Sequence, residues 1–429
     1  MKGILGCFRT TPTDALENET DLLPPGLRLR EKILKSVTRM LTAPLRYPIQ
    51  QCLRHARNPR CQTQSFRSNL TNIAKHYPKC MHPLETIVPY IRPPWWSLKA
   101  PLHIDINKES AEEHHLRTIS QLDRDTVQFY TDGSGINKGI GAAMYCHTNR
   151  YTQQRYLGTN SESMVYAGEL EAILMAVTYA RDLTRIQPRT YLKSHIFTDS
   201  QAAMRSLAKP RRQTGQGTIK QILDQIDEIY LTTPTYSIQI DWVLGHVGIA
   251  GNEMADQAAK KAAIEKTNLP PQPTILKSAR ANEIHQTIEW AYQNQWINGK
   301  KTAQRLRNIT KQNMTKRKPK RMIPSLRIYE KLNKRIHIAW IARLRTGHTS
   351  LNGYLERFNI VDDATCPECG DARETVHHFL MVCPKHEELR DKMRREVGEG
   401  GMKEEKLLGD HRRIKHTVKF IEGTERFKF

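Results

Sequence analysis

The sequence predicts an α/β fold, a mixed β-sheet flanked by helices, centred on residues 126–264. Three observations carry that expectation. Short β-favouring runs at 126–131, 139–146 and 152–158 follow one another across Gly, Asn and Ser breaks, the pattern of an antiparallel meander. From residue 163 onward, helix-period and strand-like runs alternate, as in a sheet whose later strands are joined by helical crossovers. Pro270-Pro271-Gln272-Pro273 then reads as a linker closing the segment.

Taken in order, residues 1–125 offer helices near 29–45 and 52–57 and then the cluster Ile91-Arg92-Pro93-Pro94-Trp95-Trp96, with no motif that attaches to chemistry. Their composition does not require an independent domain. The helix 163–182 brings Val165, Ala172, Ile173, Ala176 and Tyr179 near one face. Residues 194–198 read as a buried strand and 200–207 and 217–231 as helices, while the alternation of 236–243 marks a half-buried strand. The alanine-rich stretch 252–265 is helical, which gives the order β-β-β-α-β-α-α-β-α. Beyond it lie a linker and helix (265–295), a basic helical segment (296–346), a cysteine-containing region (347–390) and a charged tail (391–429).

Composition narrows the function classes. The chain has 429 residues, 38% of them hydrophobic, with no run near the ~18 apolar residues a membrane span needs. Glu17, Glu19 and Asp21 stand where a signal peptide would place its apolar run. The expectation is a soluble, unsecreted, intracellular protein with no membrane partner, compatible with the nucleus. A net charge of +23 points to an acidic partner, nucleic acid first. The excess is uneven: 16 Lys/Arg face one acid between 296 and 346, against 14 and 12 between 126 and 264. Eight cysteines are too few for a disulfide scaffold, and the grouping of Cys366, Cys369 and Cys383 favours a metal.

Four carboxylates fall at element ends: Asp132 in Tyr-Thr-Asp-Gly-Ser, Glu169 in Ala-Gly-Glu-Leu-Glu-Ala, Asp199 in Phe-Thr-Asp-Ser and Asp256 in Gly-Asn-Glu-Met-Ala-Asp. Singly, each has an ordinary reading, since Thr-Asp-Gly-Ser also makes turns and Asp199 would serve as a helix cap. Together they are costly to bury without a cation, and their hard oxygens suit Mg²⁺ or Mn²⁺. Glu171 lies about 200° around the helix from Glu169 and cannot share its metal. Glu253 reads as ordering the last helix.

With Gly245-His246-Val247-Gly248-Ile249-Ala250-Gly251-Asn252-Glu253-Met254-Ala255-Asp256 added, residues 126–264 resemble a type I ribonuclease H domain, segment by segment and in order. The resemblance implies a five-stranded mixed sheet with helices on both faces and hydrolysis of the RNA strand of RNA–DNA hybrids. It makes Asp132, Glu169, Asp199 and Asp256 ligands of two metal ions and His246 the mobile histidine near the scissile phosphate. Two metals about 3.5–4 Å apart would activate the attacking water and stabilise the leaving oxygen. An orphaned, silent nucleic-acid-binding remnant is the alternative.

Cys366-Pro-Glu-Cys369, His378 and Cys383 give Cys-x2-Cys-x8-His-x4-Cys, the ligand set of one structural Zn²⁺, with His377 the other candidate imidazole. Trp340-Ile-Ala-Arg-Leu-Arg-Thr-Gly-His348, Leu351-Asn-Gly-Tyr-Leu355 and Glu374-Thr-Val-His-His378-Phe-Leu resemble the carboxyl-terminal end of non-LTR (LINE-type) retrotransposon polyproteins, as found in fungi, in which a CCHC zinc knuckle follows ribonuclease H. The only Asp-Asp is Asp362-Asp363, and no Tyr- or Phe-x-Asp-Asp of a polymerase palm occurs, so a reverse transcriptase would act in trans. Lys316, Arg317, Lys318, Lys320 and Arg321 read as a phosphate-binding patch, a nuclear localisation signal or a solvated loop.

Overall fold

The computed structural model describes the chain except residues 64, 66, 83, 89–91, 105–107, 188–189, 246, 267–273, 300–302, 312–324 and 428–429. The linker 270–273 and the basic run 316–321 therefore lie outside the described residues. The chain divides into two compact units, one of residues 32–285 and one of residues 1–31 with 286–429.

In the first unit the expected mixed sheet forms from β2 (Thr126–Ile136), β3 (Gly139–Cys146), β4 (Tyr151–Thr159), β5 (Lys193–Thr198) and β6 (Ser237–Trp242). A sixth strand, β1 (Leu102–His103), corrects the expected five: it pairs in parallel with β6 at the edge, giving the order β1-β6-β5-β2-β3-β4. The meander β2-β3-β4 is antiparallel, and β5 and β6 join parallel to β2. Alternation along each strand separates two cores. Phe129, Ile196, Ile238 and Ile240 face α2 (Val165–Ile186), α3 (Gln201–Ala208) and α4 (Gln216–Thr232) through Leu170, Ile173, Met204 and Ile222. Tyr130 and Phe197, one residue further on, face Ala255 of α5 (Ala250–Glu265) and Ile119 of α1 (Lys108–Ser120).

Residues preceding the sheet are built into this unit. The Glu85 carboxylate accepts from Gly215 N at 2.7 Å and Lys277 N at 2.8 Å, and Arg92 pairs with Asp224 and Asp227 of α4, each at 2.9 Å. His115 of α1 is buried, with its ring edge-on to Phe197 at 4.7 Å and beside Tyr130, His195 and Asp241. Burial, reinforced by the His195 charge, lowers it to about 4. The unfolded chain therefore binds a proton between about pH 4 and 6.5 that the folded chain refuses, so stability is full above pH 6.5 and falls as pH drops. Urea titration of the wild type should show about 2 kcal/mol lost from this group by pH 5. His115→Leu should shrink the difference between pH 7.5 and pH 5 by that amount.

The second unit is helical. Gln304–Lys311, Arg335–Thr346, Glu387–Val397, Glu404–Gly409 and Ile414–Thr424 surround a core containing Leu16, Ile341, Leu344, Phe379, Leu380, Leu407 and Phe420. At its centre Arg345 and Glu19, both almost fully buried, form a bidentate pair at 2.9–3.0 Å, and Arg345 also donates to Leu408 O and Ser325 Oγ. Arg307 pairs with Asp14 and stacks on Trp296. Several cations of the basic stretch 296–346 are thus neutralised inside the fold. The stretch 391–429 likewise carries buried Met393, Leu407, Phe420 and Ile421 rather than trailing in solvent. No helix among the described residues is long and apolar enough to cross a membrane.

Candidate active site and metal centre

Asp132 lies within β2, Glu169 in the second turn of α2 and Asp199 just past β5, so each comes from a separate element. One carboxylate oxygen from each lies within 4.8 Å of the other two. Gly133 makes this approach possible, because a Cβ there would collide with the backbone of Gly168 and Glu169. Asp199 is set by Trp242 Nε1, which donates to its carbonyl at 2.9 Å. The cap of α3 is Ser200, whose Oγ accepts from Ala203 N at 3.4 Å, so the capping reading does not apply to Asp199.

The electrostatics are those of a site built for positive charge. Burial first, then the Asp199 and Asp256 charges, raise Asp132 to about 7. Burial and the Asp132 and Asp199 charges push Glu169 well above the usual carboxylate range. Glu169 Oε2 is buried and has no hydrogen-bond partner among the described residues. An orphaned carboxylate oxygen beside two further acids fits a hard divalent cation.

Asp256 is buried on α5, outside the group of three, and Lys260 one turn on holds its Oδ2. That lysine escaped the sequence reading, although the Asp-x3-Lys spacing on a helix was the available signal. Glu171 points away from the cluster and pairs with Arg155 of β4, as its helical angle predicts. Glu253 sits in the first turn of α5. His246 lies outside the described residues. Its neighbour Gly245 packs so closely on the Asp199 carboxylate that any Cβ would strike Oδ2, which brings the backbone of this loop to the acids.

The second unit brings Cys366, Cys369, His378 and Cys383 together, one ligand atom of each within 4.8 Å of the others. Cys366 Sγ and Cys383 Sγ are 3.9 Å apart, and Cys369 Sγ and His378 Nε2 are 3.4 Å apart. Tetrahedral Zn²⁺ with bonds of about 2.3 Å to sulfur and 2.0 Å to nitrogen gives edges of about 3.8 and 3.5 Å. The donors fit. A turn closed by Gly370 N to Cys366 O at 2.9 Å presents the first two thiols. Burial and the Cys366 charge raise Cys383 to about 11, so a cation is needed to make it a thiolate near neutral pH. Neighbouring His377 is exposed and faces Glu404 at 3.2 Å.

Residues 124–264 match the family model described as RNase H. The chain is 32% identical over 155 residues to the Pol polyprotein of equine infectious anemia virus (isolate 1369), covering 36% of this chain and 12% of that protein. It is 29% identical over 162 residues to the Gag-Pol polyprotein of bovine immunodeficiency virus (strain R29), covering 37% of this chain and 10% of that one. It is 26% identical over 165 residues to the Ribonuclease H of Orientia tsutsugamushi (strain Boryong), covering 37% of this chain and 88% of the bacterial protein. The chain thus spans about an eighth or less of the polyproteins it resembles.

Proposed function

We propose that residues 126–264 hydrolyse the RNA strand of RNA–DNA hybrids, with two Mg²⁺ or Mn²⁺ ions held by Asp132, Glu169, Asp199 and Asp256. One observation carries this reading: three carboxylates from three elements converge within 4.8 Å, in a segment that matches RNase H. When bound, paired cations lower the pKa of the attacking water and neutralise charge on the leaving oxygen. The chain's own groups do the positioning. Gly133 lets Glu169 approach Asp132, Trp242 fixes the backbone at Asp199, and Lys260 holds Asp256 in place. His246, in a loop whose Gly245 touches Asp199, is suited to carry a proton to or from the reacting phosphate.

The test is cleavage of end-labelled hybrid with and without Mg²⁺. Metal-dependent cutting of the RNA strand alone is expected. Metal-independent cutting would overturn the reading, and a folded, hybrid-binding, inactive protein would favour a silent remnant. His246→Ala is expected to slow turnover about 10²- to 10⁴-fold while Mg²⁺ affinity, measured by calorimetry, is unchanged. Loss of metal binding would instead make His246 a ligand.

The same reading puts the domain in the carboxyl-terminal portion of a non-LTR retrotransposon polyprotein, working alongside a reverse transcriptase. The resemblance to Pol polyproteins supports the polymerase association. Cys366, Cys369, His378 and Cys383 would hold one structural Zn²⁺, on the strength of their tetrahedral spacing. Lys316, Arg317, Lys318, Lys320 and Arg321 would add phosphate contacts without base preference.

A further inference from the structure

A cavity of about 390 Å³ in the second unit is unexplained by either metal site. His348, Tyr354, Arg357, Phe358 and Arg373 stand in its wall, and its volume lies in the range of sites that take one small ligand. Two features give it a chemistry. The first is a run of rings: Phe358 lies 5.1 Å from Tyr354 between centroids, His348 lies 5.0 Å from the same tyrosine, and Phe8 packs behind it at 6.1 Å. Tyr354 is buried and held by His348 Nδ1 at 2.7 Å, whereas Phe358 is 47% exposed. Phe358 is thus a half-exposed ring inclined at 48° to a fixed tyrosine, with free surface on which a planar group can pack.

The second feature is charge. Arg373 pairs with Glu356 at 2.7 Å and Arg305 pairs with Glu404, but Arg357 is exposed and makes no ion pair among the described residues. The acid in the wall, Glu374, is almost fully buried and neutralised by Arg426 at 2.6 Å. The cavity therefore presents uncompensated positive charge beside an open aromatic face. A duplex hides the faces of its bases inside the stack and offers only its backbone and groove edges, so it has no use for such a platform. An unpaired nucleotide offers both a π-face and a phosphate.

We propose that this cavity binds single-stranded nucleic acid, packing one base on the exposed ring of Phe358 and seating a phosphate on Arg357. The Arg373–Val376 wall of the cavity lies between Cys369 and His378, so metal binding at the Cys3His group would hold that wall in place. The inference rests on nucleic acid being the partner of the chain, but not on hydrolysis at Asp132.

The test uses the full chain and fluorescein-labelled dT12 and rU12, with Phe358→Ala, Phe358→Trp and Arg357→Gln; both positions are exposed, so the fold should persist, as circular dichroism will check. Phe358→Ala should weaken single-strand binding about ten-fold, as expected for one lost base stack, and Phe358→Trp should restore it. Arg357→Gln should reduce the slope of log K against log salt by about 0.7, the loss of one single-strand phosphate contact. Hybrid cleavage at saturating substrate should stay within about two-fold in all three, so a chain that never cleaves still tests the cavity by binding. Unchanged strand affinity and salt slope in folded Phe358→Ala and Arg357→Gln would overturn the proposal. So would a blunt DNA duplex that competes as well as dT12, or a poly-glutamate peptide that displaces dT12 with the same sensitivity to Phe358→Ala.

Discussion

Asp132→Asn is expected to abolish hybrid cleavage, by at least about 10³-fold or ~4 kcal/mol of barrier, while making the metal-free protein more stable. The two effects share one cause. Asp132 sits among acids in a buried site and is raised to about 7, above the usual carboxylate value near 4. Between those values the folded chain holds a proton that the unfolded chain releases. The stability linked to this group is thus fully present below about pH 4, is lost as pH rises to 7, and stays lost above. Asparagine carries no charge to desolvate, so thermal melts in EDTA at pH 8 should place the variant above the wild type by on the order of 2 kcal/mol, or several degrees. The gap should close toward pH 4. Adding Mg²⁺ should raise the wild type by mass action and leave the variant nearly unmoved. Full activity in Asp132→Asn would remove it from the site, and a variant that is merely unstable at pH 8 would make the carboxylate a structural group.

The sheet and the acids were legible because both are written locally. Phe129 and Tyr130, or Ile196 and Phe197, show by adjacency that a strand buries both faces, and Asp132 and Asp199 come just after those apolar runs. What escaped depends on partners remote in sequence. β1 has two residues, Leu102 and His103, too few to show any period, and exists only because β6 offers it an edge. Glu19 looks like a solvent acid and Arg345 like one more cation of a basic stretch, yet they meet 326 residues apart in a core. Counting charge along the chain cannot separate an internal arginine from a phosphate-binding one. The same pairing means that removing residues after the linker would strip Leu5, Leu16 and Glu19 of their partners, so a cleaner nuclease unit starts at residue 32.

Withdrawing zinc should do more damage than the loss of a small knuckle. Structural Zn²⁺ contributes about 10–16 kcal/mol of apparent binding energy in isolated finger peptides, and a domain that depends on it cannot replace that from a few apolar contacts. Here the segment that carries the proposed ligand His378 is also core: Val376, Phe379 and Leu380 are buried against the cluster that contains Trp340, Phe420 and Phe427. Without a cation, Cys366 and Cys383 stand 3.9 Å apart and Cys369 and His378 3.4 Å apart with no ion to bridge the two halves of the group. A zinc-selective chelator in excess Mg²⁺, or Cys366→Ser with Cys383→Ser, should therefore collapse hydrogen-exchange protection across the helices from Arg335–Thr346 to Ile414–Thr424 rather than at 360–385 alone. Hybrid turnover at saturating substrate should fall by no more than about two-fold, because the acids belong to the other unit. His378→Ala should reproduce the collapse and His377→Ala should not, since only His378 brings a ring nitrogen to Cys369. One equivalent of zinc retained by the double serine variant would remove these residues as ligands, and protection lost only at 360–385 would mean that the surrounding helices hold their packing without the metal.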